Sequence, residues 1–303
     1  MVDIPGELVR MVLAEAARVA VDQDRSWATE LALISRDVYK FIRPIIYHRM
    51  VITEVNSATI RRLADDDAFT HVFAAIRHIV YAVEITKDTY PDIRPSVFKL
   101  DASRIIILDG PDFVLRDLGR QPGFAPQDLA LSSPTPGVIV ELPPSALSSI
   151  THIRIFIAGL KTDDTPWSHV GVDDLVDRLP ALTHLALDII RPFFSSDYRH
   201  VLSDVLQSVL HRERIERVVC HVVLQVFGPT WPALHQACRA LRDPRIYMSI
   251  DDSPDARPHH LNDWKLRAER ATAGRSIWDE GEPTCTLESE DLLAREHIDS
   301  SSQ

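Results

Sequence analysis

The chain has 303 residues, 45% of them apolar and 25% charged, the balance of an ordinary globular protein and not of a disordered or fibrous one. Thirty-three basic residues face 44 acidic ones, a formal net charge of −11, which argues against a general phosphate-backbone binder with a broad basic surface. The excess is concentrated at one end, where the stretch from Ser276 to Gln303 holds eight acidic residues and one basic residue, Arg295.

The chain opens Met1-Val2-Asp3-Ile4-Pro5, with no basic stretch ahead of an apolar run, so it does not read as a secretory signal. Leu8, Val9, Met11, Val12 and Leu13 follow Pro5 at helical spacing and predict an amphipathic helix opened by proline. The polar run Asp22 to Ser26 breaks it, and Ser26 is placed to cap a second helix from Trp27 to about Ile34. Val38, Phe41, Ile42, Ile45 and Ile46 predict a third.

These residues carry a resemblance. Ile4-Pro5-x-Glu7-Leu8-Val9, then Leu31-x-Leu33-Ile34-Ser35-Arg36-x-Val38, then Phe41-x-x-Pro44-Ile45-Ile46-Tyr47 is similar to the F-box of mushroom-forming, basidiomycete-type fungi. The resemblance implies a three-helix unit over residues 1–50 that docks on the Skp-type adaptor of a cullin ubiquitin ligase. It makes Ile4, Pro5, Leu8, Val9, Val12, Leu31, Ile34, Ser35 and Val38 the candidate adaptor contacts. The same apolar residues are equally suited to capping the first core layer of a repeat array.

Beyond Tyr47 the phrase apolar-x-x-apolar-x-apolar recurs at Ile76/Ile79/Tyr81, Ile150/Ile153/Ile155, Leu182/Leu185/Leu187 and Ile215/Val218/Cys220, the strand half of a leucine-rich repeat. Looser copies at Ile105–Leu108 and Ile246–Ile250 bring the expected strands to six. Helical stripes lie between them at Leu175/Val176/Leu179, Val201 to Leu210 and Trp231/Leu234/Cys238/Leu241. From Ile153 to Leu185, Val218 and Ile246 the steps are 32, 33 and 28 residues, long beside the usual period of about 20–29. Strand, helix, strand at that period predicts an α/β fold, an irregular leucine-rich-repeat-like parallel solenoid over 51–280 behind the helical segment. The asparagine that usually follows the strand is missing, with Glu84, Ala158, Ile190 and Val223 in its places.

Proline and glycine punctuate the stretch 110–149, including Pro122-Gly123, Pro136-Gly137 and Pro143-Pro144, so a long loop is expected there. Trp264 and Trp278 are expected to cover the last repeat, and residues 281–303 read as a weakly ordered acidic tail.

No nucleotide-binding glycine motif, nucleophile elbow or His-Glu-x-x-His phrase occurs, so no enzymatic activity and no cofactor are expected. Cys220, Cys238 and Cys285 lack paired spacing, and neither His259-His260 nor Cys220-His221 has a second ligand pair, so neither disulfide nor metal is expected. The run Asp65-Asp66-Asp67 lacks the glycine and glutamate of a calcium loop. No apolar run approaches the roughly 18–20 residues of a membrane span. Binding of neither membrane nor nucleic acid is expected, and the expected location is cytoplasmic or nuclear.

One column stands out. The residue before each strand's central apolar position is His78, Arg104, His152, His184, Arg217 or Arg245, and period-two alternation turns all six away from the core. Three readings follow: a ladder of donors for an acidic or phosphorylated target segment, a set of bonds between neighbouring repeats, or a seat for the chain's own acidic tail. The expected function is that of a target-recruiting ubiquitin-ligase subunit, or else a protein-interaction scaffold that recruits no ligase.

Overall fold

A computed structural model of the chain describes residues 5–23, 25–83, 93–131, 139, 141–157, 169–189, 198–223, 231–251, 278 and 281–284. Three helices come first: α1 (Gly6–Gln23), α2 (Arg25–Ala32) and α3 (Arg36–Ile46). Ser35 caps α3, its hydroxyl accepting the Val38 N–H at 3.1 Å. Ser26, expected as a cap, instead lies inside α2. On α1 the inward side is built from Ala14, Ala17, Ala20 and Val21, and such small residues let neighbouring helices approach closely. Ala17, Ala20 and Val21 join Ala32, Ile42 and Ile46 in a small core separate from that of the repeats.

Strands and helices then alternate: β1 (Arg49–Thr53), α4 (Ser57–Ala64), α5 (Thr70–Phe73), β2 (His78–Ala82), β3 (Ile107–Gly110), α6 (Asp112–Gly119), β4 (Asp128–Leu131), α7 (Pro144–Leu147) and β5 (His152–Ile157). They continue through α8 (His169–Arg178), β6 (His184–Ile189), α9 (Tyr198–Leu210), β7 (Arg217–Val223), α10 (Trp231–Ala240), β8 (Ile246–Asp251) and a two-residue β9 (Glu282–Pro283). The strands form one sheet in chain order, with β1 to β8 parallel and β9 antiparallel to β8.

Three strands were not expected: β4, β1 and the short β9, which falls in the stretch 281–303 read as a weakly ordered tail. β4 corrects the reading of 110–149 as a long loop. Its prolines start elements: Pro111 and Pro143 precede α6 and α7, and Pro144 opens α7. Gly123 turns the chain at φ +79°, where a Cβ would meet the Ser103 side chain at 2.9 Å.

The central strand residues Met50, Ile79, Leu108, Leu129, Ile153, Leu185, Val218 and Ile246 are successive register partners, which makes the repeats 29, 29, 21, 24, 32, 33 and 28 residues long. All from Ile79 onward are fully buried, and they share one cluster with Leu115, Leu118, Leu175, Val176, Val205 and Leu206 of the helices. One sheet face therefore packs on the helices.

A main-chain ladder joins the repeats ahead of β2 to β7. The His48 carbonyl accepts both the Arg77 N–H (2.7 Å) and the His78 N–H (2.9 Å), and the carbonyls of Arg77, Ile106, Gln127, Thr151 and Thr183 repeat the pattern. In the first repeat an asparagine does act, since Asn56 donates to the Val51 carbonyl and accepts from the Thr53 N–H. Of the four places expected to lack it, Glu84, Ala158 and Ile190 lie outside the described residues, and Val223 ends β7.

Candidate functional site

Of the candidate adaptor contacts, Ile4 lies outside the described residues. Pro5 and Ser35 are exposed, and Leu31 and Val38 are half-buried against the three-helix core. Leu8, Val9, Val12 and Ile34 face outward, 50%, 43%, 68% and 62% exposed. Met11, Val19, Trp27 and Leu33 are exposed beside them in the same unit. α1 thus buries a face made mostly of alanine and presents Leu8, Val9, Met11, Val12 and Val19 outside.

The second candidate surface is the sheet face opposite the helices. Its first row follows the register Arg49, His78, Ile107, Asp128, His152, His184 and Arg217. Arg245 stands at the same level, just before Ile246. Arg104 does not belong to the row, because Leu108, not Ile105, is the central residue of β3. Arg104 sits in a helical turn before the strand, where it donates to the Ala74 carbonyl at 2.7 Å and pairs with Asp101. Arg245 likewise reaches back one repeat, to the carbonyls of Leu210 (2.8 Å) and Ile215 (3.0 Å), while Asp243 holds its guanidinium.

Several other members contact one another or a neighbouring side chain. Arg49 donates to His78 Nδ1 at 3.1 Å. His152 and His184 stack with ring centres 4.2 Å apart, each bonded through Nδ1 to the threonine before it, Thr151 or Thr183. The Arg217 guanidinium lies 3.6 Å from the centre of the Tyr247 ring, a cation–π contact.

Two features of this face were not anticipated. Trp278 was expected over the last repeat, but it lies on the middle strands. Its indole N–H donates to Asp128 at 2.9 Å and its ring stands edge-on to His152 (5.0 Å) and His184 (5.9 Å). Trp264 lies outside the described residues. Further along the strands, Arg154 makes two bonds to Asp188, 2.6 and 3.0 Å, and both side chains are buried. The signal for this pair was present: Arg154 sits between Ile153 and Ile155, and Asp188 between Leu187 and Ile189, so alternation turns both to one face.

Burial sets the electrostatics of the row. It pushes His78 down to about 3, with Arg49 and His48 adding repulsion, and it pushes His152 down to about 4 and lowers His184. It raises Asp128 to about 6, opposed by the Trp278 hydrogen bond and reinforced by Asp109. The neutral imidazole of His78 is the form that accepts from Arg49. Its contribution to stability is complete above an ordinary histidine pKa of 6.5 and is lost as pH falls towards about 3. Asp128 runs the other way, losing its contribution as pH rises through about 6. Replacing His78 with glutamine, which retains an acceptor for Arg49, is expected to lessen the loss of stability between about pH 6.5 and about pH 4. Urea midpoints measured across that window check this, and an unaltered pH dependence refutes it.

Among the described residues no group of three or more His, Cys, Asp or Glu side chains is arranged to hold a metal. Cys220 and Cys238 are buried free thiols. Asp66 caps a helical turn through the Ala68 N–H. His259, His260 and Cys285 lie outside the described residues. Among the described residues no helix is long and apolar enough to cross a membrane.

The chain is therefore an α/β protein in which N-terminal helices precede alternating strand–helix units whose eight strands form an all-parallel sheet, an architecture consistent with a leucine-rich-repeat-like solenoid. No protein-family model matches it, and no curated protein is significantly similar to it in sequence.

Proposed function

We propose that this chain is a fungal F-box-like subunit of a cullin-type ubiquitin ligase, holding a Skp-type adaptor with its N-terminal helices and a target protein with its solenoid. The supporting observation is the outward set Leu8, Val9, Val12 and Ile34, displayed by helices that already have a core of their own. Full burial of one such side chain contributes about 1.5–3 kcal/mol, so leaving four of them exposed on one small helical unit favours an interaction surface there. In this reading the chain is cytoplasmic or nuclear, has no catalytic residue or cofactor, and leaves the chemistry to its partners. A scaffold that recruits no ligase would be expected to pack Leu8 and Val12 on the repeats, whereas both are at least half exposed.

Co-purification of the full chain with a Skp-type adaptor is the test. The double variant L8D/V12D is expected to weaken the complex by on the order of a hundredfold or more. Its thermal unfolding should match that of the wild type, because neither residue belongs to the helical core. Folded wild-type protein that binds no adaptor would remove the proposal.

A further inference from the structure

The sheet face opposite the helices already holds a ligand of a kind, a tryptophan of the chain itself. Trp278 is 150 residues away from Asp128, the acceptor of its indole N–H. Its ring is steeply inclined to two stacked imidazoles and, like that of Tyr247, packs against Ala186 and Val219. It is not part of the main core.

The segment that follows is fixed at a second, separate point. Glu282 and Pro283 pair with Met248 and Tyr247 of β8, antiparallel where every other pair in the sheet is parallel. The strand is two residues long and one of them, Pro283, has no N–H to give. Gly281 leads into it at φ +89°, where a Cβ would come within 2.9 Å of the Met248 carbonyl oxygen. An aromatic anchor followed by strand addition at a sheet edge is a standard way for one chain to hold an extended peptide.

We propose that the surface formed by Asp128, His152, His184, Ala186 and Val219 is a receptor for a tryptophan side chain on an extended segment of a partner protein, and that Trp278 occupies it as a self-ligand. The chemistry selects an indole. A carboxylate takes the N–H, imidazoles take the ring edge-on, and small apolar residues form the floor. Binding of the partner segment displaces Trp278 and β9 together. The proposal rests on the reading of the solenoid as the part that holds a target, but not on the adaptor.

The probe is a fluorescein-labelled peptide of residues 274–286, which carries both the tryptophan and the pairing residues, measured by anisotropy against the full chain. A self-ligand that fills the seat about nine-tenths of the time or more weakens apparent affinity about tenfold or more. Trp278→Ala should therefore bind the peptide about tenfold or more tighter than wild type. Gly281→Ala, which strains the strap at its other attachment, should shift affinity in the same direction. The same peptide with alanine for tryptophan should not bind, and His184→Ala in the Trp278→Ala background should abolish the gain.

Equal binding by wild type and either folded variant would overturn the proposal, as would tight binding of the peptide that lacks tryptophan. Unfolding of both variants would make the segment part of the fold, and would overturn it as well. No adaptor is present in the measurement, so adaptor recruitment and aromatic recognition can each fail alone.

Discussion

Replacement of Asp188 by alanine is expected to destabilise the chain by roughly 3–5 kcal/mol, because it leaves the Arg154 guanidinium buried without its carboxylate. The pair is short and doubly bonded, at 2.6 and 3.0 Å, and the two side chains are only 6% and 5% exposed. Arg154→Ala should cost a similar amount by stranding the carboxylate. The double variant with apolar residues of similar volume, Arg154→Met and Asp188→Leu, is expected to recover most of the loss, since two buried charges are costly to desolvate even when paired. Denaturant midpoints for the four proteins close a double-mutant cycle. Additive losses would show that the charges do not depend on one another. The pair joins adjacent strands β5 and β6, so the single variants should also weaken coupling between the units on either side.

The second large effect is expected at Leu129. Its side chain is fully buried in the middle of the sheet, between register partners Leu108 and Ile153. Leu129→Ala removes that contact and leaves a cavity, at a cost of about 2–5 kcal/mol. Val55→Ala is the control, since Val55 is 93% exposed and a surface substitution there should stay within about 0.5 kcal/mol. Urea unfolding of the two variants separates them. A Leu129 variant as stable as wild type would mean that residues 128–131 are not a core strand.

That strand shows where the sequence was hard to read. β2 and β5 to β7 repeat the full phrase with apolar leading, central and third residues, and the stripes of α8 to α10 follow at helical spacing. β4 has only Leu129 and Leu131 facing the core, and its leading position is a buried proline, Pro126. A proline there reads as punctuation. β1 follows the third helix with only His48 between Tyr47 and Arg49, so its short alternation merged with the helical segment.

The misplacement of Arg104 has another cause. Ile105, Ile106, Ile107 and Leu108 are all apolar, so alternation alone cannot choose a register, and an odd shift exchanges the two faces. The structure buries Ile105 and Leu108 and turns Ile107 outward. For the outward row, the residue types were legible as a column, but their partners were not. Arg245 meets carbonyls of Leu210 and Ile215 and Asp128 meets Trp278 across distances in sequence that no local pattern encodes. The outward position of Leu8 and Val12 had the same limit, because a helical stripe states which residues share a side and not which side is covered.

The doubled hydrogen bonds ahead of the strands bear on how this architecture tolerates change in length. From β2 to β7 each unit is indexed to the one before it by a single carbonyl that takes two N–H groups, while the steps between units run from as few as 21 to as many as 33 residues. Spacing along the stack is thus set at one point per unit, and the arc returning to that point is free to lengthen. Insertions in the returning arcs leave the alignment of the outward row intact, which makes those arcs natural positions for grafted peptides and for evolutionary drift, and makes the strand starts the positions where drift is costly.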